Sequence, residues 1–123
     1  MQRRTVLPLT SLALAGVFLG GALGHAPAAG DTAKKLTGTL VCIGCTVKKA
    51  YSAKAQCNVY GHQHGLQTAD GKIYTFLAND QSKELREGKA KDAEDLHGKK
   101  VEVTGVVLPK TQILDVTSYQ VAK

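Results

Sequence analysis

Hydrophobic and polar residues alternate in several short runs of this chain, and turn-forming residues separate the runs. From Leu36 to Cys42 the alternation has a period of two, which places Leu36, Leu40 and Cys42 on one face. This pattern predicts a first β-strand. The strand ends directly at the start of a segment that holds every cysteine of the chain.

A hairpin is predicted around Asp70-Gly71. Runs rich in β-branched and aromatic residues lie on both sides of this pair, and glycine readily adopts the positive φ that a two-residue turn requires. Such a turn would place Leu66 opposite Thr75. The two runs therefore predict the second and third strands.

Helices are predicted at three places. Asn79-Asp80 can cap a helix that stops at Gly88, and residues 89–96 suggest a second helical stretch that ends at Gly98. Residues 48–56 contain good helix formers and no helix breaker, so a short helix or turn is expected there.

Two more strands are predicted at residues 100–108 and 112–121, with Gly105 at a bend or bulge. The order strand, hairpin, helix, hairpin predicts a mainly β fold. We expect a small five-stranded OB-like barrel, with a short helix between strands 3 and 4 and a Cys/His-rich loop between strands 1 and 2.

One run strengthens this expectation, namely His97-Gly98-Lys99-Lys100-Val101-Glu102-Val103-Thr104-Gly105. It resembles the start of the fourth strand in small exported bacterial OB-fold proteins. The resemblance implies a soluble barrel used for binding, and it assigns a function to no individual residue.

The first 28 residues are typical of an export signal. Arg3 and Arg4 precede an uncharged stretch over residues 5–24, and Ala26-Pro27-Ala28 forms a small-x-small cleavage pattern. The domain organisation predicted is an export signal at 1–28, a flexible leader at 29–35 and an OB-like metal-binding domain at 36–123.

The export route has two interpretations. Arg3-Arg4 followed by Val6 and Leu7 is similar to a twin-arginine signal, whereas a basic start also fits general secretion. Both routes predict an exported protein that meets the membrane only during export, and the twin-arginine interpretation points to bacteria, so we expect a periplasmic or secreted bacterial protein.

Size and charge restrict the classes of function that are compatible with the sequence. A chain of 123 residues that loses its signal is one small domain, and without Arg3 and Arg4 its formal net charge falls from +6 to a mild +4. A nucleic-acid binder would carry a denser basic stripe, so we expect no nucleic acid among the partners. An envelope protein is a possible partner.

The strongest chemical pattern is C-x2-C-x11-C-x4-H-x-H, formed by Cys42, Cys45, Cys57, His62 and His64. Thiolate sulfur and neutral imidazole are the preferred ligands of zinc and copper(I). The pattern therefore predicts one soft metal ion, zinc with copper as the alternative. Tetrahedral zinc needs four donors, so we expect three sulfurs and either His62 or His64, the other histidine orienting a ligand or completing an expanded shell.

Competing interpretations of the cysteines remain open. A Cys42–Cys45 disulfide would leave Cys57 free, and the protein would then be a partner-binding module with a stapled loop. A redox-active C-x2-C needs a thioredoxin-like setting that the pattern lacks, and Thr46 after Cys45 argues against covalent haem. With no recognisable catalytic constellation, we expect binding rather than catalysis.

Overall fold

A computed structural model describes residues 32–123, so the predicted export signal lies outside the described residues. Five strands form one closed barrel in the order β1-β2-β3-β5-β4. The elements are β1 Lys34–Cys42, α1 Ile43–Tyr51, α2 Cys57–Tyr60, β2 His64–Gln67, β3 Ile73–Phe76, α3 Lys83–Glu87, β4 Lys100–Val107 and β5 Ile113–Val121. The predicted five-stranded barrel is confirmed, with its short helix between strands 3 and 4 and its cysteines and histidines between strands 1 and 2.

The first strand is longer than its alternation predicted. Lys34 and Lys35, which were assigned to the flexible leader, pair with Gly105 and Thr104 of β4. These lysines are exposed and contribute no apolar face, so the alternation does not include them. Backbone pairing with β4 is what extends the strand to them. The part of the leader that lies in residues 34–35 is therefore ordered strand.

The predicted hairpin exists, but its register differs by one position. Leu66 pairs with Tyr74 rather than with Thr75. The Gly71 N–H donates to the Thr68 carbonyl at 2.9 Å, and Gly71 has φ +84°, so the loop contains three residues instead of two. The extra loop residue shifts the pairing, and Leu66 becomes fully buried.

Only the first of the two helices predicted between β3 and β4 is present. Gly88, with φ +72°, ends α3. The predicted helix at 89–96 is wrong, because this segment folds back through a bridge between Lys89 and Asp95. The Leu96 N–H donates to the Gly88 carbonyl at 2.8 Å, and this contact brings the Leu96 side chain into the core.

The core fills the barrel and is capped from the side of α3. Its buried residues are Leu40, Leu66, Phe76, Leu85, Leu96, Val101, Val103, Leu114 and Val116. The predicted bulge at Gly105 is confirmed by a shift of register between β4 and β5 at that residue. Among residues 32–123, no helix combines the length and hydrophobicity that a membrane span requires.

Candidate metal centre

Cys42 is both the last residue of β1 and the N-cap of α1. Its Sγ accepts a hydrogen bond from the Cys45 N–H at 3.4 Å, as capping side chains do. Helix α1 therefore begins before Cys45, earlier than the predicted start at residue 48. The sequence gives little warning of this, because the first turn contains Ile43 and Thr46, which are only moderate helix formers.

This start of α1 brings the first two cysteines together. A rigid strand carries Cys42, which is 1% exposed, while Cys45 lies in the first helical turn and is exposed to solvent. Because the N-terminus of a helix carries partial positive charge, it favours thiolates at this position.

Cys57 reaches the same point from α2, of which it is the first residue. A Cβ atom at Gly44 would lie 2.6 Å from Cys57 Sγ, too close for any side chain. Glycine is therefore required in the first turn of α1 so that the third sulfur can approach. This requirement is the one sequence signal for the site that lies outside the cysteines and histidines themselves.

His62 completes a cluster of four donor atoms, all within 4.8 Å of one another. Cys57 Sγ lies 3.7 Å from each of the other two sulfurs, and His62 Nδ1 lies 3.3 Å from Cys42 Sγ and 3.6 Å from Cys45 Sγ. Tetrahedral zinc with Zn–S of about 2.3 Å and Zn–N of about 2.0 to 2.1 Å places its sulfurs about 3.8 Å apart, and sulfur and nitrogen about 3.6 Å apart. Four of the six donor–donor distances therefore match those of one tetrahedral ion, and the other two are no longer than 4.8 Å.

The three cysteines form no disulfide. The sulfur–sulfur distances of 3.7 Å from Cys57 far exceed the bond length of about 2.0 Å that a disulfide needs. The structure therefore does not show the Cys42–Cys45 disulfide that was the alternative to metal binding. All three sulfurs are available as ligands.

The protein environment lowers the pKa of one of these thiols and raises the pKa of another. Burial alone would raise the pKa of Cys42, but hydrogen bonds from the Cys45 N–H and from the side chains of His62, Cys45 and Cys57 lower it to about 7. The neighbouring sulfurs of Cys42 and Cys57 raise the pKa of Cys45 to about 11. Without a cation the cluster therefore favours the thiolate of Cys42 over that of Cys45, and a bound cation would compensate further negative charge.

His64 lies outside this cluster, although it is the backbone partner of Cys42. Its side chain is 8% exposed, and its Nδ1 lies 3.1 Å from the Arg86 carbonyl oxygen. Burial lowers the pKa of His64. Of the two histidines that the sequence offered, the structure thus brings His62 to the sulfurs and packs His64 against the end of α3.

His97 does not end a helix, because the segment before it is not helical. Its ring instead stands edge-to-face with that of His64, with centroids 5.3 Å apart. Both rings line a cleft of about 350 Å³ that also borders Cys42, Cys45 and His62. The cluster is therefore open on one side to a cleft that contains two further imidazoles.

Comparisons of the chain with protein-family models, curated proteins and solved structures gave no match. The function must therefore be inferred from the site itself.

Proposed function

We propose that this chain is an exported small metal-binding protein that holds one soft metal ion through Cys42, Cys45, Cys57 and His62. The observation that supports this most strongly is the convergence of four soft donors within 4.8 Å, at positions separated by as many as 20 residues in the sequence. Three thiols and an imidazole have little reason to gather at a surface unless they share a cation.

Zinc is the ion that we propose. Three sulfurs spread evenly in a plane around an ion at about 2.3 Å would lie about 4.0 Å apart, as in a three-coordinate copper(I) site, whereas a tetrahedral arrangement gives about 3.8 Å. The two known sulfur–sulfur distances of 3.7 Å fit the tetrahedral value, and His62 Nδ1, at 3.3 and 3.6 Å from two of the sulfurs, supplies the fourth donor that a three-coordinate copper(I) site lacks.

The ion would hold the segment between β1 and β2, residues 43–63, against the barrel. Neither α1 nor α2 has a buried residue, so apolar packing gives this segment little support. Structural zinc contributes an apparent binding free energy of about 10 to 16 kcal/mol in small domains, enough to order such a segment.

Export is part of the proposal because the sequence begins with Arg3-Arg4, an uncharged stretch and Ala26-Pro27-Ala28. Thiols in an oxidising compartment tend to form disulfides unless a ligand protects them. An ion bound to all three cysteines would provide that protection in the periplasm.

The test is the metal content and thiol reactivity of protein purified from a bacterial periplasm. We expect one zinc ion per chain by elemental analysis, and three thiols that react only after a chelator is added. His62→Asn should weaken zinc binding strongly, whereas His64→Asn, two residues away, should leave the affinity nearly unchanged. Protein that contains no metal and a disulfide under these conditions would refute the proposal.

A further inference from the structure

The cleft beside the cluster contains a second set of metal-binding groups that the cluster does not use. Besides Cys42, Cys45 and His62, it is lined by His64, Glu87, Gly88, Lys89, Asp95 and His97. Cys57 borders a different cavity and not this cleft. A bound ion would therefore border a cleft that contains two imidazoles and two carboxylates.

His64 is prepared to bind a cation. A carbonyl oxygen can only accept a hydrogen bond, so Nδ1 must donate its proton to the Arg86 carbonyl, which leaves the lone pair on Nε2. Among residues 32–123, no polar group forms a hydrogen bond with this Nε2. Metal-binding histidines commonly have this arrangement, in which the second ring nitrogen donates to a backbone carbonyl.

His97 stands close enough to share an ion with His64 once its exposed ring turns out of the edge-to-face arrangement. Two imidazoles that bind one zinc ion at about 2.0 to 2.1 Å with a tetrahedral angle have ring centres about 5 Å apart. The observed separation is 5.3 Å. His97 is exposed, and the Asp95 carboxylate accepts a hydrogen bond from the His97 N–H at 2.9 Å, which keeps both residues in one turn at the edge of the cleft.

We propose that the cleft is a transfer site, in which His64 and His97 bind a divalent cation on its way into and out of the cysteine cluster, with the Asp95 carboxylate attracting the ion. This inference rests on the proposed function. In loading, the imidazole nitrogens first displace water from the ion, and these bonds are then replaced by bonds to the exposed ligands Cys45 and His62 and to the remaining two cysteines, while the thiol protons are released to solvent. Release follows the same steps in reverse, and no electrons are exchanged.

A transfer site speeds both directions without changing the final affinity. Its loss raises the barrier to loading and to release by the same amount, so the ratio of the two rates is preserved. A group that belongs to the resident coordination shell behaves differently, because its loss weakens binding and alters the spectrum of the bound ion. These two roles can therefore be separated by measurement.

The experiment uses the mature protein and cobalt(II), whose visible absorption reports its ligands. Stopped-flow measurements would follow cobalt loading of the reduced protein and its release to a coloured chelator. His64→Asn keeps a donor for the Arg86 carbonyl but removes the Nε2 ligand, and His97→Asn changes an exposed side chain. We expect both rates to fall about tenfold or more in each variant, with an unchanged affinity and cobalt spectrum.

Asp95→Asn and Asp92→Asn form a matched pair, because both remove one negative charge from the same loop but only Asp95 lines the cleft. We expect slower loading in the first variant and wild-type rates in the second. Wild-type rates in both histidine variants would overturn the transfer site, as would a weakened affinity with an altered cobalt spectrum. If the wild-type protein bound neither cobalt nor zinc, the proposed function itself would fail.

Discussion

The barrel and the segment between its first two strands are held together in different ways. Nine buried apolar side chains fill the barrel and its cap. Residues 43–63 form two helices without a single buried residue, and Tyr51, Val59 and Tyr60 are each at least 71% exposed. One chain thus combines a region stabilised by burial of apolar surface with a region that, under the proposed function, a bound ion would hold in place.

Removal of the metal should have the largest effect on the difference in stability between the barrel and residues 43–63. A chelator added to the zinc-loaded protein eliminates a binding free energy of about 10 kcal/mol or more, so the melting temperature should fall sharply. Hydrogen exchange should become fast at residues 43–63, while amides of β4 and β5 stay protected. Equal loss of protection in both regions would show that the barrel also depends on the ion.

A smaller effect is expected from truncation in the barrel. Leu66 is fully buried, and Leu66→Ala should lower the free energy of unfolding by about 2 to 5 kcal/mol with zinc still bound. Val59→Ala is the matched control in the segment 43–63, because Val59 is 71% exposed and its truncation should change stability by no more than about 0.5 kcal/mol. Denaturant unfolding measures both values. Similar losses in the two variants would contradict the contrast between the regions.

The smallest expected effect concerns the contact between α3 and His64. Gly88 and Gly98 have φ of +72° and +76°, so alanine at either position should cost about 1 kcal/mol in backbone strain. A Cβ at Gly88 would also lie 2.6 Å from His64 Cε1, whereas a Cβ at Gly98 meets no atom within 4 Å.

Gly88→Ala should therefore destabilise the protein by about 1 to 3 kcal/mol more than Gly98→Ala, because His64 has to move. Thermal unfolding of the two variants gives the difference. Equal melting temperatures would mean that the His64 ring is not fixed against α3.

The sequence predicted the barrel well because its signals are local and repeated. Alternation identified the strands, and Asp70-Gly71 and Gly105 correctly marked a turn and a bulge. The hairpin register was wrong because an Asp-Gly pair fits both a two-residue and a three-residue loop. Residues 89–96 have acceptable helix propensity, but burial of Leu96 against the barrel outweighs it.

The candidate site was predicted in composition but not in arrangement. Five possible ligands could be read from the spacing, yet the choice of His62 over His64 depends on where β2 begins. His64 pairs with Cys42 in the sheet, yet its ring packs against the end of α3, while His62 precedes the strand and lies beside the sulfurs. The cleft that His97 lines could not be inferred from the sequence, because it forms only when the chain around Gly88 folds against residues distant in the sequence.

The pairing of Cys42 with His64 has a further consequence. The Ile43 N–H donates to the Gln63 carbonyl at 2.8 Å, so the two ends of the intervening stretch leave the sheet side by side. A tight turn of a few residues would span the same gap and close an uninterrupted hairpin. The stretch that carries three of the four candidate ligands is thus an insertion between two paired strand ends, and replacing residues 43–63 by such a turn should leave the pairing of β1 with β2 in place.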